Sequence, residues 1–214
     1  MARFGSKGKN YDADERVRSV RAALGTRSLV MIGIMGCGKT SVGRRLSSAL
    51  GLPFVDADEE IEAAAGKTIS EIFSDHGEAH FRDGERKVIA RLLAHGPKVL
   101  ATGGGAYMNA ETRGNIKKAG ISIWLRAELP LLMRRVQRRD NRPLLRIAHP
   151  EAKMQELMEQ RYPFYALADI TIDSREVPHD AIVSEILGGL LAGPLAPKPP
   201  ASPALSDNED IQQT

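Results

Sequence analysis

The sequence predicts an α/β domain with a single parallel sheet covered by helices on both faces. Three observations predict it. Short apolar runs alternate with amphipathic stretches of helical spacing, so each strand feeds a crossover rather than a hairpin. The first apolar run passes straight into glycines that open a helix. Between the two polar ends, residues 28–192 fit the size of one domain.

Each element has its own signal. Residues 11–24 can form a short helix with Val17, Val20 and Leu24 on one side. Ser28–Ile34 is a buried strand, and Lys39–Leu50 a helix with Val42, Leu46, Ala49 and Leu50 at helical spacing. Leu52–Val55 is a short strand ending near Asp56 and Asp58. Thr68 and Glu71 have capping-box spacing, so a helix starts there, and Gly77–Ala94 is a longer one. Lys98–Ala101 is a strand running into Gly103-Gly104-Gly105. Asn109 caps a helix through Lys118; Ile121–Leu125 is a strand, followed by a helix from Glu128 to Arg139. A polar turn, Asp140–Pro150, precedes a helix over Glu151–Tyr165. Asp169–Ile172 is the last strand and Pro178–Leu191 the closing helix.

The ends read differently. Residues 1–27 form an N-terminal extension, part helix and part disordered, with seven Lys/Arg against three Asp/Glu. It has no apolar secretory core, and its acids argue against an organellar transit peptide. Residues 193–214 are a Pro/Ala-rich tail with too few large apolar groups to offset ordering entropy, so disorder is expected. The net charge of +3 lies mostly in these ends, and only 5% of residues are aromatic. A near-neutral body excludes a nucleic-acid footprint. No apolar run approaches the roughly 20 residues of a membrane span. One cysteine, Cys37, cannot close an internal disulfide, which points to a reducing compartment and so to the cytoplasm.

The chemistry begins at Gly33-Ile34-Met35-Gly36-Cys37-Gly38-Lys39-Thr40, a gapless G-x-x-x-x-G-K-[ST] between a strand and a helix. Glycines let successive N–H groups converge on phosphate oxygens at a helix N-terminus. Lys39 supplies a mobile charge for the outer phosphates, and the Thr40 hydroxyl is a hard ligand for Mg²⁺. Cys37 is read as a small-side-chain position; a sharper alternative makes it an oxidisable thiol.

Four further pieces follow. Asp56 and Asp58 share a side at a strand's C-terminal end, where one acid can serve a metal and the other an acceptor hydroxyl; equally, they can be helix-starting acids. Arg82 and Glu85 are i,i+3 and can share a pocket or form a surface ion pair. Gly103-Gly104-Gly105 suggests close backbone approach to a ligand, or simply a tight loop. Among the later arginines, Arg134, Arg135 and Arg138 read as a solvated helix face. Arg142-Pro143-Leu144-Leu145 reads as a lid that brings an arginine to transferring phosphate while excluding water. Arg161 is the last piece. The five histidines show no ligand spacing.

Taken in order, Gly36-Cys37-Gly38-Lys39-Thr40-Ser41, Asp56-Ala57-Asp58, Phe81-Arg82, Gly103-Gly104-Gly105, Arg142-Pro143-Leu144-Leu145 and Arg161-Tyr162 resemble the shikimate kinase family over Ser28 to Leu191. The resemblance implies a three-layer P-loop kinase fold, adenylate-kinase-like, with five parallel strands and a lid loop. It implies transfer of the ATP γ-phosphate to the 3-hydroxyl of shikimate, with Mg²⁺ and by a monomer. By that likeness Lys39 neutralises phosphate, Thr40 ligates Mg²⁺ and Asp56 reaches the metal through water. Asp58 holds shikimate hydroxyls and acts as base, while Arg82, Arg161 and the backbone at Gly104 grip the carboxylate beside Glu85. Arg142 closes over the phosphates, and Arg139 is the nearest match for an adenine-stacking arginine. The rivals are a gluconate or nucleoside-monophosphate kinase and an ATP-binding switch.

Overall fold

The computed structural model describes residues 7–137 and 149–196. Five strands, β1 (Ser28–Ile32), β2 (Phe54–Asp56), β3 (Val99–Ala101), β4 (Gly120–Arg126) and β5 (Ile170–Asp173), form one sheet in the order β2-β3-β1-β4-β5. All four pairings are parallel, with Leu29 opposite both Val99 and Ile121 and Ile123 opposite Ile170. Every residue of β1 is buried, as a central strand with helices on both faces requires.

The helices are α1 (Lys7–Leu24), α2 (Lys39–Leu50), α3 (Ala57–Ala65), α4 (Ile69–Leu93), α5 (Ala110–Ala119), α6 (Leu129–Gln137), α7 (Pro150–Tyr165) and α8 (His179–Ala192). Their layers follow from handedness. The β1–α2–β2 crossover runs toward one edge of the sheet and β3–α5–β4 toward the other. Right-handed crossovers therefore place α2 and α5 on opposite faces. Accordingly α2 packs with α1 and α8, while α5 packs with α4. Leu46 of α2 and Ile89 of α4, both fully buried, seal the sheet's two sides.

The structure departs from the sequence reading at several joints. At Gly77 it agrees: the two expected helices meet at a kink inside α4, where Gly77 takes the non-helical φ 77°, ψ 174°. Only glycine enters that region without strain, so one helix ends before it and the next starts after it, as the sequence pattern predicts. Upstream, the capping box is present: Glu71 N–H donates to Thr68 Oγ1 at 3.2 Å and Thr68 N–H to Glu71 Oε2 at 2.8 Å. The N-terminal helix starts earlier than expected and is docked, with Val20 and Leu24 buried. Arg21 Nη1 donates to the Leu50 carbonyl at 2.8 Å, capping the C-terminal end of α2. After α8 the chain turns back at Gly193–Ala196, and Leu195 is buried with its N–H on the Leu190 carbonyl at 2.8 Å. Among the described residues no helix is long and apolar enough to cross a membrane.

Candidate active site

The C-terminal ends of β1, β2 and β3 converge on one cleft of about 390 Å³. One wall is the phosphate loop. It leaves β1 at Gly33 (φ 136°) and turns through Gly36 (φ 83°) and Gly38 (φ 105°), the residue that caps α2. A Cβ on Gly33 would stand 2.8 Å from the Leu125 carbonyl and 2.9 Å from Cys37 Sγ, so side chains there are excluded twice over. Cys37 is fully buried beneath the loop, which supports the small-residue reading and leaves no surface thiol. Lys39 Nζ is held by the carbonyls of Gly33 at 2.7 Å and Ile34 at 3.2 Å, and Lys39, Thr40 and Ser41 line the cleft.

Of the two acids at the end of β2, Asp56 starts a helix as the plainer reading had it, and both line the cleft. Asp56 ends β2 and caps α3: its Oδ1 accepts from the Asp58 N–H at 3.1 Å, and its Oδ2 from Thr40 Oγ1 at 3.1 Å. Asp58, one residue into α3, also lines the cleft. Burial, reinforced by Asp56 and opposed by Lys39, pushes its carboxyl up to about 6. The Thr40–Asp56 pair offers hard oxygens of the kind Mg²⁺ takes, and no cluster of three or more His, Cys, Asp or Glu could hold a metal alone among the described residues. Such a partial set fits an ion that arrives with a nucleotide's phosphates.

The facing wall is the glycine triplet, and each glycine seats a different side chain. A Cβ on Gly103 would fall 2.7 Å from Glu85 Oε1 and 2.9 Å from Asp58 Oδ1. One on Gly104 would fall 3.1 Å from Arg161 Nη1, and one on Gly105 2.5–2.6 Å from three guanidinium atoms of Arg82. The tight-loop alternative therefore understates the triplet: its missing side chains are the space that four functional groups occupy. Arg82 Nη1 donates to Glu85 Oε2 at 2.7 Å, and Arg82 also reaches Glu78 Oε1 at 3.1 Å. Glu85 is 3% exposed and its Oε1 has no protein partner. Burial raises its carboxyl against the lowering pull of Arg82. Arg82–Glu85 is thus a half-buried pair set against the glycine triplet, outside the lining of the cleft itself, and Arg161 is likewise outside that lining.

Two residues were misplaced or missed by sequence reasoning. Arg135, read as part of a solvated face, instead lines the cleft and bridges loops. Its Nη1 reaches Ser174 Oγ at 2.8 Å and the Cys37 carbonyl at 3.3 Å, and its Nη2 reaches the Arg175 carbonyl at 2.9 Å. Helical spacing carried the signal, because Arg135 stands one turn from the buried Leu131 and Leu132. Arg134 does face outward, paired with Glu176 at 3.1 Å. His179, at the start of α8, lines the same end of the cleft. Arg138, Arg139, Arg142 and the rest of the lid segment lie outside the described residues.

Comparison with known proteins bears on this arrangement. Residues 35–190 match the family model for shikimate kinase. A curated shikimate kinase from Bradyrhizobium diazoefficiens is 57% identical over 188 residues, 86% of this chain and 91% of the relative. One from Rhodopseudomonas palustris is 59% identical over 169 residues, 79% of this chain and 83% of the relative. Among solved structures, the Acinetobacter baumannii shikimate kinase in complex with shikimate superposes with a TM-score of 0.76 at 37% identity, covering 82% of this chain and 97% of its own. A phosphate loop facing a glycine-seated pair of arginines, and relatives this similar over most of their length, place the chain in the shikimate kinase family.

Proposed function

We propose that this chain transfers the γ-phosphate of ATP to the 3-hydroxyl of shikimate, giving shikimate 3-phosphate and ADP, a step of aromatic amino acid (chorismate) biosynthesis. The observation that carries this reading is the glycine triplet: Asp58, Gly103 and Gly104 line the cleft with Lys39 and Thr40, and Arg161 and Arg82 stand directly against Gly104 and Gly105. Planar guanidinium forks suit a carboxylate, and an acceptor-only aspartate suits hydroxyl donors.

In this reading Arg82, Arg161 and the Gly104 backbone hold the substrate carboxylate. Asp58 then accepts the proton of the 3-hydroxyl as its oxygen bonds to the γ-phosphorus. The bond from that phosphorus to the β–γ bridging oxygen breaks, and ADP leaves. A carboxyl near 6 is mostly ionised at neutral pH yet basic enough to take the proton. Lys39 neutralises charge on the phosphates, and loop N–H groups orient them. Thr40, with Asp56 behind it, would hold Mg²⁺, which when bound offsets phosphate charge. Arg142 is assigned to close over the phosphates, and Arg139 and Arg135 to the adenine end, where Arg135 and Ser174 brace the loops. In this reading the enzyme is a monomer in the cytoplasm, where ATP is supplied.

The rivals fit the acceptor wall less well. A nucleoside monophosphate needs a base site, and a switch has no use for paired guanidiniums. Coupled ADP release should require shikimate and Mg²⁺ together, with gluconate and AMP near background. Turnover of gluconate or AMP in preference to shikimate would overturn the assignment.

A further inference from the structure

We infer that Tyr165 is a positioning residue that sets the carboxylate grip of the acceptor pocket, holding Gly104 and Arg161 in register through one phenol oxygen. This rests on the proposed acceptor reading and deepens it.

The phenol is fully buried. Its O–H donates to the Gly104 carbonyl, and the Arg161 guanidinium one turn earlier on α7 lies close enough to act on it electrostatically. A phenol has one donor and lone pairs to spare, so it can give to the carbonyl and still attract a cation. Burial drives the hydroxyl's ionisation far above neutral pH, which keeps that polarity fixed.

The geometry makes the contact consequential. In a trans peptide N–H and C=O point in opposite directions, so fixing the Gly104 carbonyl on the phenol turns the Gly105 N–H away from it. A hydrogen bond on the carbonyl also polarises that same peptide and strengthens its N–H as a donor. Meanwhile Arg161 Nη1 stands 3.1 Å from where a Gly104 Cβ would be, so the guanidinium is set against the very peptide the phenol orients. Tyr162 packs nearby without bonding to the phenol: its O–H donates to the Ala127 carbonyl at 2.5 Å, and its ring and that of Trp124 lie 6.1 and 5.9 Å from Tyr165. Tyr162 touches neither Gly104 nor Arg161 in any of these contacts, which makes it a matched control.

Tyr165→Phe removes one oxygen and leaves the ring packing. The expected result is a shikimate KM raised at least about tenfold, with the ATP KM within about twofold of wild type, while Tyr162→Phe leaves both near wild type. The ratio of the two KM values is unaffected by a general loss of folded protein, so it reads out even if stability falls. A shikimate KM within twofold of wild type, or both KM values rising together, overturns the inference. Wild-type turnover of shikimate is the reference arm: its absence overturns the functional reading together with this one, whereas normal turnover with an unresponsive Tyr165→Phe overturns this one alone.

Discussion

Gly105 offers a substitution that the fold can absorb and the acceptor pocket cannot. Its φ of −94° and ψ of −17° are ordinary for any residue, so alanine brings no backbone strain. The new Cβ would, however, lie 2.5–2.6 Å from Nη1, Cζ and Nη2 of Arg82. The guanidinium is the far end of a flexible side chain, so it moves aside and the protein stays folded. An ordinary contact needs about 1 Å more room, enough to break the 2.7 Å Arg82–Glu85 bond and swing the fork off its carboxylate-facing position. A hydrogen bond to a charged group is worth about 1.5–3 kcal/mol, which converts to roughly 10- to 150-fold in affinity. The Arg82 side chain is 32% exposed, so solvent screening favours the lower end. Initial rates at saturating ATP and varied shikimate, with a thermal melt alongside, measure this. A Gly105→Ala enzyme with unchanged shikimate KM, or with the ATP KM raised equally, would refute the claim that the triplet is a seat for the arginine.

Three further outcomes follow from the same geometry. Asp58 must be ionised to accept a proton, so kcat/KM for shikimate should fall about tenfold per pH unit below about 6, read from a pH–rate profile. Because its folded-state carboxyl lies above 3.8, the folded protein binds more protons than the unfolded chain between about 4 and 6, and Asp58 costs stability as pH rises through that window. Asp58→Asn should therefore raise Tm at pH 7 while lowering kcat at least about 100-fold; a lower Tm with near-normal turnover would count against both roles. Arg135→Ala removes the guanidinium that ties the Gly36 and Cys37 carbonyls to the Arg175 carbonyl, leaving the direct Ser174–Cys37 bond, and should raise the ATP KM at least about tenfold with the shikimate KM kept, as initial rates would show. Leu24→Ala empties a buried position at the end of α1 and should cost about 2–5 kcal/mol in denaturant unfolding without moving either KM.

What was legible in the sequence was what is local. The phosphate loop is contiguous, and its glycines, Lys39 and Thr40 have roles set by neighbours a few residues away. Arg82 and Glu85 pair at i,i+3, and the Thr68–Glu71 box lies within one turn. Arg135 was misread because its partners Gly36 and Cys37 lie 99 and 98 residues away, and only the sheet order brings them together. The glycine triplet was legible as a close approach, but which side chain each glycine admits depends on α3, α4 and α7 meeting at one sheet edge. The docking of α1 was hidden for the same reason: Arg21 finds the end of α2 only after both helices have packed.

The central claim is that two guanidinium forks on a glycine seat hold the acceptor by its carboxylate while a hydroxyl meets the phosphate loop. Comparing kcat/KM for shikimate with that for its methyl ester, in the wild type and in Arg161→Ala, tests this most directly. Esterifying the wild-type substrate should cost at least about 100-fold, a loss that shrinks several-fold in the variant because one fork is already gone. An ester used as well as the acid, or a penalty undiminished by Arg161→Ala, would contradict it.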